Sequence, residues 1–184
     1  IPEQPDPALL QYMQVMNRCK IPVMPLIHLL DGLLLDQSAM LLKDEADLVA
    51  YAYHVAGAVG LLMCPVLGCG DRTAFRFAVD MGIGMQLTNI ARDILEDAQM
   101  GRRYLPESWT GQLSPHQIVA CAKAPESTNY KQIQAAVDRL LTLADQYYES
   151  GRLGLGFLPV RARYGIAVAA EVYRAIGTLS LIHI

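Results

Sequence analysis

The sequence predicts an all-α domain, and three observations carry that expectation. Apolar residues recur at helical spacings of three and four along most of the chain. Capping residues stand ahead of these runs, and Pro or Gly stands behind them. No segment sustains the strict alternation of a half-buried strand between hairpin turns.

Taken in order, a first helix is expected from Pro7 to about Lys20, where Leu9, Tyr12, Met13 and Met16 share a face. A second should cover about Val23 to Leu42. Asp44 is placed to cap a third, Glu45 to Met63, stopped by Pro65 with Gly68 and Gly70 behind it. Asp71 or Thr73 would cap a long helix reaching about Ala98 and ended by Gly101. Ser114-Pro115-His116-Gln117 has serine at the cap, proline in the first turn and glutamine three residues on. Helices over Thr128–Gly151 and about Pro159–Thr178 complete the set, separated by the Gly151–Gly156 turn region. With no repeat, linker or charge block, residues 1–178 read as one domain.

Composition narrows the function. The chain is 53% hydrophobic and only 18% charged, with a mean hydropathy of +0.24. That excess of apolar residues implies an internal apolar cavity or a surface that meets membrane or a partner. A net charge of −3 without a basic stripe excludes nucleic-acid binding. Cys19, Cys64, Cys69 and Cys121 lack zinc-ligand spacing and sit among apolar neighbours, so reduced, buried thiols are expected. Leu48–Gly70 has no charged residue and is long enough to span a bilayer. A helix buried on all sides has the same composition, and it is the favoured reading because no basic anchor flanks the segment.

Chemistry concentrates in Gln86-Leu-Thr-Asn89-Ile-Ala-Arg92-Asp93-Ile-Leu-Glu96-Asp97. Asn89, Asp93 and Asp97 at i, i+4 and i+8 form a stripe about 12 Å long on a helix, with Gln86 one turn before it. Aligned carboxylates repel, and the apolar run just upstream raises their desolvation cost. Alone, such a stripe is commonly a solvated helix face. Here Gly101-Arg102-Arg103 follows, a helix stop and then guanidiniums suited to phosphate. Hard divalent cations suit the stripe, since Mg²⁺ takes carboxylate and amide oxygens, keeps some water and accepts phosphate oxygens.

The segment QLTNIARDILEDAQMGRRYLPESW resembles the second aspartate-rich signature of the phytoene and squalene synthase family. Tyr51-Ala-Tyr53-His54-Val-Ala-Gly57-Ala-Val-Gly60 resembles a second block of that family, and Gly32-Leu-Leu-Leu-Asp36 the short segment before it. Leu158-Pro159 with Tyr173-Arg174-Ala-Ile-Gly177 resembles the closing helix. These blocks stand in family order up to about Thr178.

The resemblance implies a helical isoprenoid synthase bundle around a central apolar cavity. It also implies head-to-head condensation of two prenyl diphosphates through a cyclopropyl diphosphate. By the same resemblance Asn89, Asp93 and Asp97 bind Mg²⁺ (Mn²⁺ as a substitute), while Gln86, Arg92, Arg102 and Gly57 belong to the substrate site. Asp93 and Asp97 act in catalysis with Tyr53 and Tyr173, which would line the cavity; an aromatic face tolerates a nearby carbocation. His54 is expected to be structural, and Asp31, Asp36, Asp44 and Asp47 to be surface residues or helix caps.

Geranylgeranyl diphosphate is the expected substrate and phytoene the product, from the wording of the Tyr51–Met63 and Asn89–Ala98 blocks. The alternative is a farnesyl branch making squalene, presqualene diphosphate or dehydrosqualene, with NADPH required only for squalene. A non-catalytic relative or a membrane-embedded assembly protein is the reading from another class. The reduced thiols give the expectation of a cytoplasmic protein, and lipid substrate and product that of peripheral attachment at the inner membrane face, though no basic amphipathic helix marks it. The sequence is silent on oligomeric state.

The family's other aspartate-rich motif has no counterpart before Gly32. The expectation is therefore a bundle lacking its N-terminal helices, with residues 1–178 inactive by themselves. Ile1 in place of methionine gives the expectation that the chain begins inside a gene. Leu179–Ile184 matches a translated sequencing adaptor and is expected to be an artefact.

Overall fold

The structure, a computed structural model, describes residues 6–37 and 41–180, and every described element is helical. Asp6 starts α1 (Pro7–Cys19) by accepting the Ala8 amide at 2.7 Å, and Lys20 ends it in the left-handed region at φ 53°. Helix α1 buries none of its residues.

Helix α2 (Val23–Leu35) ends before the expected Leu42. Tertiary bonding overrides the periodicity there. The Leu42 and Lys43 carbonyls accept the Glu107 and Ser108 amides at 2.9 Å each instead of joining a helical ladder. Residues 38–40 of the expected helix lie outside the described residues, as do 181–184 of the suspected adaptor; Leu179 and Ser180 fall within the last helix.

Asp44 caps α3 (Glu45–Ala52) through the Asp47 amide at 3.0 Å. A single wide π turn, Tyr53–Gly57, joins α3 to α4 (Ala58–Val66) without a break. Pro65 does not stop α4 but sits inside its final turn, where it forfeits one backbone bond. The stop is Gly68, whose φ of +81° suits a residue without a side chain. Asp71, rather than Thr73, then caps a 3₁₀ turn, Arg72–Ala74, that leads into α5 (Phe75–Gln99).

Gly101 at φ +79° turns the chain after α5. The short α6 (Glu107–Thr110) carries no periodic signal and was not expected. Helix α7 (Pro115–Cys121) opens with the complete capping box of Ser114 and Gln117. Helix α8 (Thr128–Leu153) runs past Gly151, because a side chain there would meet Met81 at 3.0 Å and the glycine lets α5 approach closely. A 3₁₀ turn, Gly154–Phe157, precedes α9 (Val160–Ser180).

Helix α5 is the axle of the bundle. It packs against α3, the π turn and α4 on one side and against α7, α8 and α9 on the other. Leu48, Leu87, Val137 and Leu140 are completely buried around it. Tyr148 is buried too; its hydroxyl donates to Thr88 Oγ1 at 2.9 Å, since Thr88 already donates to the Gly84 carbonyl. Arg174 of α9 binds Asp145 and Glu149 of α8 at 2.9 Å each and fastens those helices together. All four cysteines are free, and burial pushes the Cys64 thiol up to about 11.

Glu45–Val66 is apolar and long enough to cross a membrane by length and composition. Only 33% of its apolar window is buried, short of the all-round burial expected. It packs on α2 and α5, and Val55, Val59, Gly60 and Met63 face a cavity instead of protein. The contact between α4 and α5 depends on glycine from both sides. A Cβ on Gly60 would collide with the Ala78 carbonyl, and one on Gly82 with the Ala56 carbonyl. Backbone cannot rotate out of the way as a side chain can. Gly82→Ala should therefore cost about 1–3 kcal/mol in denaturant unfolding, while Gly70→Ala, facing open space, should be neutral.

Candidate active site

One face of α5 changes character along its length. Ala74, the last residue of the 3₁₀ turn, and positions 77, 78, 81, 82 and 85 of α5 line a cavity of about 350 Å³, followed on the same face by Gln86 and Asn89. Asp93 and Asp97 continue the row beyond the cavity at four-residue spacing. The opposite wall comes from Val55, Val59, Gly60, Met63 and Leu67, and Leu155, Leu158 and Ile166 close the remainder. An apolar chamber thus opens beside a row of oxygen ligands on a single rigid element.

The electrostatics of that row are unfavourable without a cation. The Asp97 carboxyl is pushed up to about 6, first by burial and then by Asp93, with Asp36 and Glu96 adding to the rise while Arg102 opposes it. The Asn89 Oδ1 atom is buried with no hydrogen-bond partner, although its amide nitrogen reaches Gln86 Oε1 at 3.4 Å. A buried oxygen left unpaired costs free energy unless something binds it. Among the described residues no group of three or more His, Cys, Asp or Glu converges on a metal site. Two carboxylates and one amide oxygen still fit magnesium, which draws much of its shell from water and phosphate.

Arg92 grips both oxygens of Asp93 at 2.6 Å, which orients that carboxylate and keeps the guanidinium charged. Tyr173 of α9 lies close enough to contribute to the charge balance of Arg92. The Arg102 amide closes the end of α5 on the Asp97 carbonyl at 2.8 Å, and its guanidinium is exposed. Arg103 does not share that position. It is buried, donates to the Leu113 carbonyl at 2.7 Å, pairs with Glu107 at 3.2 Å, and holds the loop after α6. Of the two guanidiniums expected to face phosphate, only Arg102 is free to do so.

Asp36 takes the C-cap position of α2, as one of the expected caps, and its side chain does more than end the helix. It accepts the Tyr51 hydroxyl at 3.0 Å and the Tyr104 hydroxyl on the same oxygen, and lies 3.9 Å from Arg102. Tyr51 and Tyr104 stack with ring centroids 5.1 Å apart. Burial raises Tyr51 far above the ordinary phenol range and Tyr104 to about 12, so both hydroxyls keep their protons and donate. Asp36 thereby binds α3 and the segment after α5 to the end of α2, beside the carboxylate row.

Tyr53 sits in the π turn, where its hydroxyl is 2.7 Å from His28 Nδ1. Neither Tyr53 nor Tyr173 is among the residues lining this cavity. His54 donates a ring N–H to the Ala50 carbonyl at 2.7 Å, as a structural histidine does. Gly57 is buried between helices, where a Cβ would meet Tyr53 at 3.0 Å and Val79 at 3.2 Å; Gly60 and Gly82 line the cavity in its place. His28 carried no sequence signal, because its partner lies 25 residues away.

The squalene/phytoene synthase profile matches residues 1–179. The chain belongs to the squalene/phytoene synthase family. A 15-cis-phytoene synthase of Paracoccus sp. (strain N81106 / MBIC 01143) is 40% identical over 151 residues, covering 82% of this chain and 47% of that protein. The phytoene synthase of Pseudescherichia vulneris is 39% identical over 180 residues, 95% of this chain and 55% of the relative. The chain spans about half the length of these curated relatives. Squalene synthase HpnC from Alicyclobacillus acidocaldarius shares the fold at a TM-score of 0.84 and 22% identity, over 96% of this chain and 66% of that one. A dehydrosqualene synthase solved with ligand superposes at a TM-score of 0.75 with 29% identity, over 93% and 59%. The expected all-α isoprenoid synthase fold is therefore observed.

The raised Asp97 value sets a pH dependence. A carboxyl lifted from 3.8 to about 6 favours the protonated folded form. That contribution is full at pH below the unfolded value and is lost as pH rises through about 6. Asp97→Asn should raise the unfolding midpoint above pH 6 and change it little below pH 4. Added Mg²⁺ should raise the wild-type midpoint at pH 8 far more than at pH 5, as read by thermal denaturation. At Asp36, Asn substitution should drop the Tyr104 phenol below about 12, because burial remains but the anion that adds to the rise is gone; ultraviolet tyrosinate titration reads this.

Proposed function

We propose that the protein this chain belongs to condenses two geranylgeranyl diphosphates head to head to phytoene, as a Mg²⁺-dependent prenyltransferase of carotenoid synthesis. The observation that carries this reading is the single α5 face on which Gln86, Asn89, Asp93 and Asp97 continue a cavity wall that is apolar from Ala74 to Met85. Two relatives named phytoene synthases, at 40% and 39% identity, support the choice of product.

Asn89, Asp93 and Asp97 would hold the magnesium, which when bound neutralises diphosphate charge and aids its departure. Arg92 fixes Asp93 in a single orientation through two hydrogen bonds. Arg102, exposed beside Asp97, meets the departing diphosphate with a charge that cannot be titrated away. Tyr53, its hydroxyl held by His28, and Tyr173 on α9 lie outside the cavity wall, so neither is assigned contact with the allylic cation; Tyr53 instead fixes the π turn through His28. The chamber keeps water from the cation, and diphosphate itself accepts the proton lost in forming phytoene. Substrate and product are lipids, which supports work against a membrane face, and the free thiols support the cytoplasmic side.

Expression of the gene with Mg²⁺ and each prenyl diphosphate in turn tests the reading. Phytoene from geranylgeranyl diphosphate without NADPH is expected. Product from farnesyl diphosphate alone would move the protein to the squalene or dehydrosqualene branch, and NADPH dependence would decide between them. Asn89→Ala and Asp93→Ala should each lower the affinity of the chain for inorganic diphosphate in Mg²⁺ by at least about tenfold, a loss of about 1.4 kcal/mol by titration calorimetry.

A further inference from the structure

The cavity has a measurable length as well as a volume. Its lining follows α5 from Asn89 back to Ala74, the last residue of the 3₁₀ turn that leads into the helix, and at the helical rise that stripe is about 22 Å long. The mouth is polar, with Gln86 and Asn89, and every lining residue of α5 beyond them is apolar or glycine. At the far end stands a separate buried cluster of Cys64, Cys69 and Ala74, with Leu158 packed on it. An extended isoprene unit places four bonds of about 1.5 Å in line and projects to about 5 Å. Three units reach about 15 Å and four about 20 Å by the same bond lengths.

We propose that the cavity takes a prenyl chain of four isoprene units, its last unit seated against Ala74, which makes Ala74 the residue that sets chain length. The proposal rests on the reading of Asn89, Asp93 and Asp97 as the diphosphate end. A three-unit chain anchored there stops near Ala78, one helical turn short of the floor, and leaves the last part of the chamber unfilled. A five-unit chain runs into the Cys64–Cys69–Ala74 cluster. Alanine is the smallest side chain that still closes this end. A phenylalanine at 74 would extend inward by about 4 Å, close to one isoprene unit.

The test uses the chain with Mg²⁺ and thiolodiphosphate analogues of farnesyl, geranylgeranyl and geranylfarnesyl, which bind without ionising, with inorganic diphosphate as a separate arm. Wild type should bind the four-unit analogue at least about tenfold tighter than the three-unit one, because the extra unit leaves water. It should bind the five-unit analogue no tighter than the four-unit one. Ala74→Phe should bring the four-unit affinity within about twofold of the three-unit affinity and leave the three-unit and inorganic diphosphate affinities unchanged. Leu158→Ala, which opens the floor instead of filling it, should admit the five-unit analogue; it decides the matter if Ala74→Phe does not fold by circular dichroism.

Equal affinity of wild type for all three analogues, with inorganic diphosphate still bound, overturns the assignment of the floor alone. An equal loss for the three- and four-unit analogues in Ala74→Phe, again with inorganic diphosphate bound, does the same. Failure of wild type to bind inorganic diphosphate overturns the head-group reading and the proposal with it.

Discussion

Everything in this fold depends on one face of α5 meeting two opposed demands. From Ala74 to Met85 the face is apolar and lines a chamber, and from Asn89 to Asp97 it carries oxygen ligands. Carboxylates beside a low-dielectric wall are costly, as the raised Asp97 shows. A cation and a phosphate at the polar end, with hydrocarbon at the other, would offset that cost, which is the proposed occupancy. A prenyl diphosphate has that same division between charged head and apolar tail. A rigid helix holds the two ends in fixed register, which a loop could not do.

The other elements can be understood as support for that face. Glycines at 60 and 82 bring α4 and α5 together at backbone distance. The π turn at Tyr53–Gly57 adds a residue to one helical turn and sets Tyr53 against His28. Asp36 closes the polar end by gathering Tyr51 and Tyr104 beside Arg102. Arg103, adjacent in sequence to an exposed guanidinium, is spent on the loop carbonyls of Gly111 and Leu113.

Local chemistry was legible in the sequence and long-range pairing was not. The Asn89–Asp93–Asp97 row could be read directly, because helical spacing alone puts the three on one face. The Ser114 box was equally legible, since both of its partners lie within four residues. The end of α2 was not, for its periodicity continues past Leu35 while the Leu42 and Lys43 carbonyls are claimed by α6. Nor was the burial of Arg103, which next to Arg102 reads as a second phosphate ligand. Asp36 was visible only as part of a resemblance, because its partners lie 15 and 68 residues away. Gly57 was read as part of the substrate site, yet it packs against Tyr53 and, across helices, Val79, a contact 22 residues apart that spacing does not reveal.

Whether the polar end of the α5 face holds a divalent cation together with diphosphate is read directly by anomalous diffraction from crystals of the chain grown with Mn²⁺ and inorganic diphosphate. The expectation is a manganese peak against the oxygens of Asn89, Asp93 and Asp97, with diphosphate on the side of Arg102. A fully occupied peak elsewhere, with the Asn89 amide oxygen still unpaired, would contradict it.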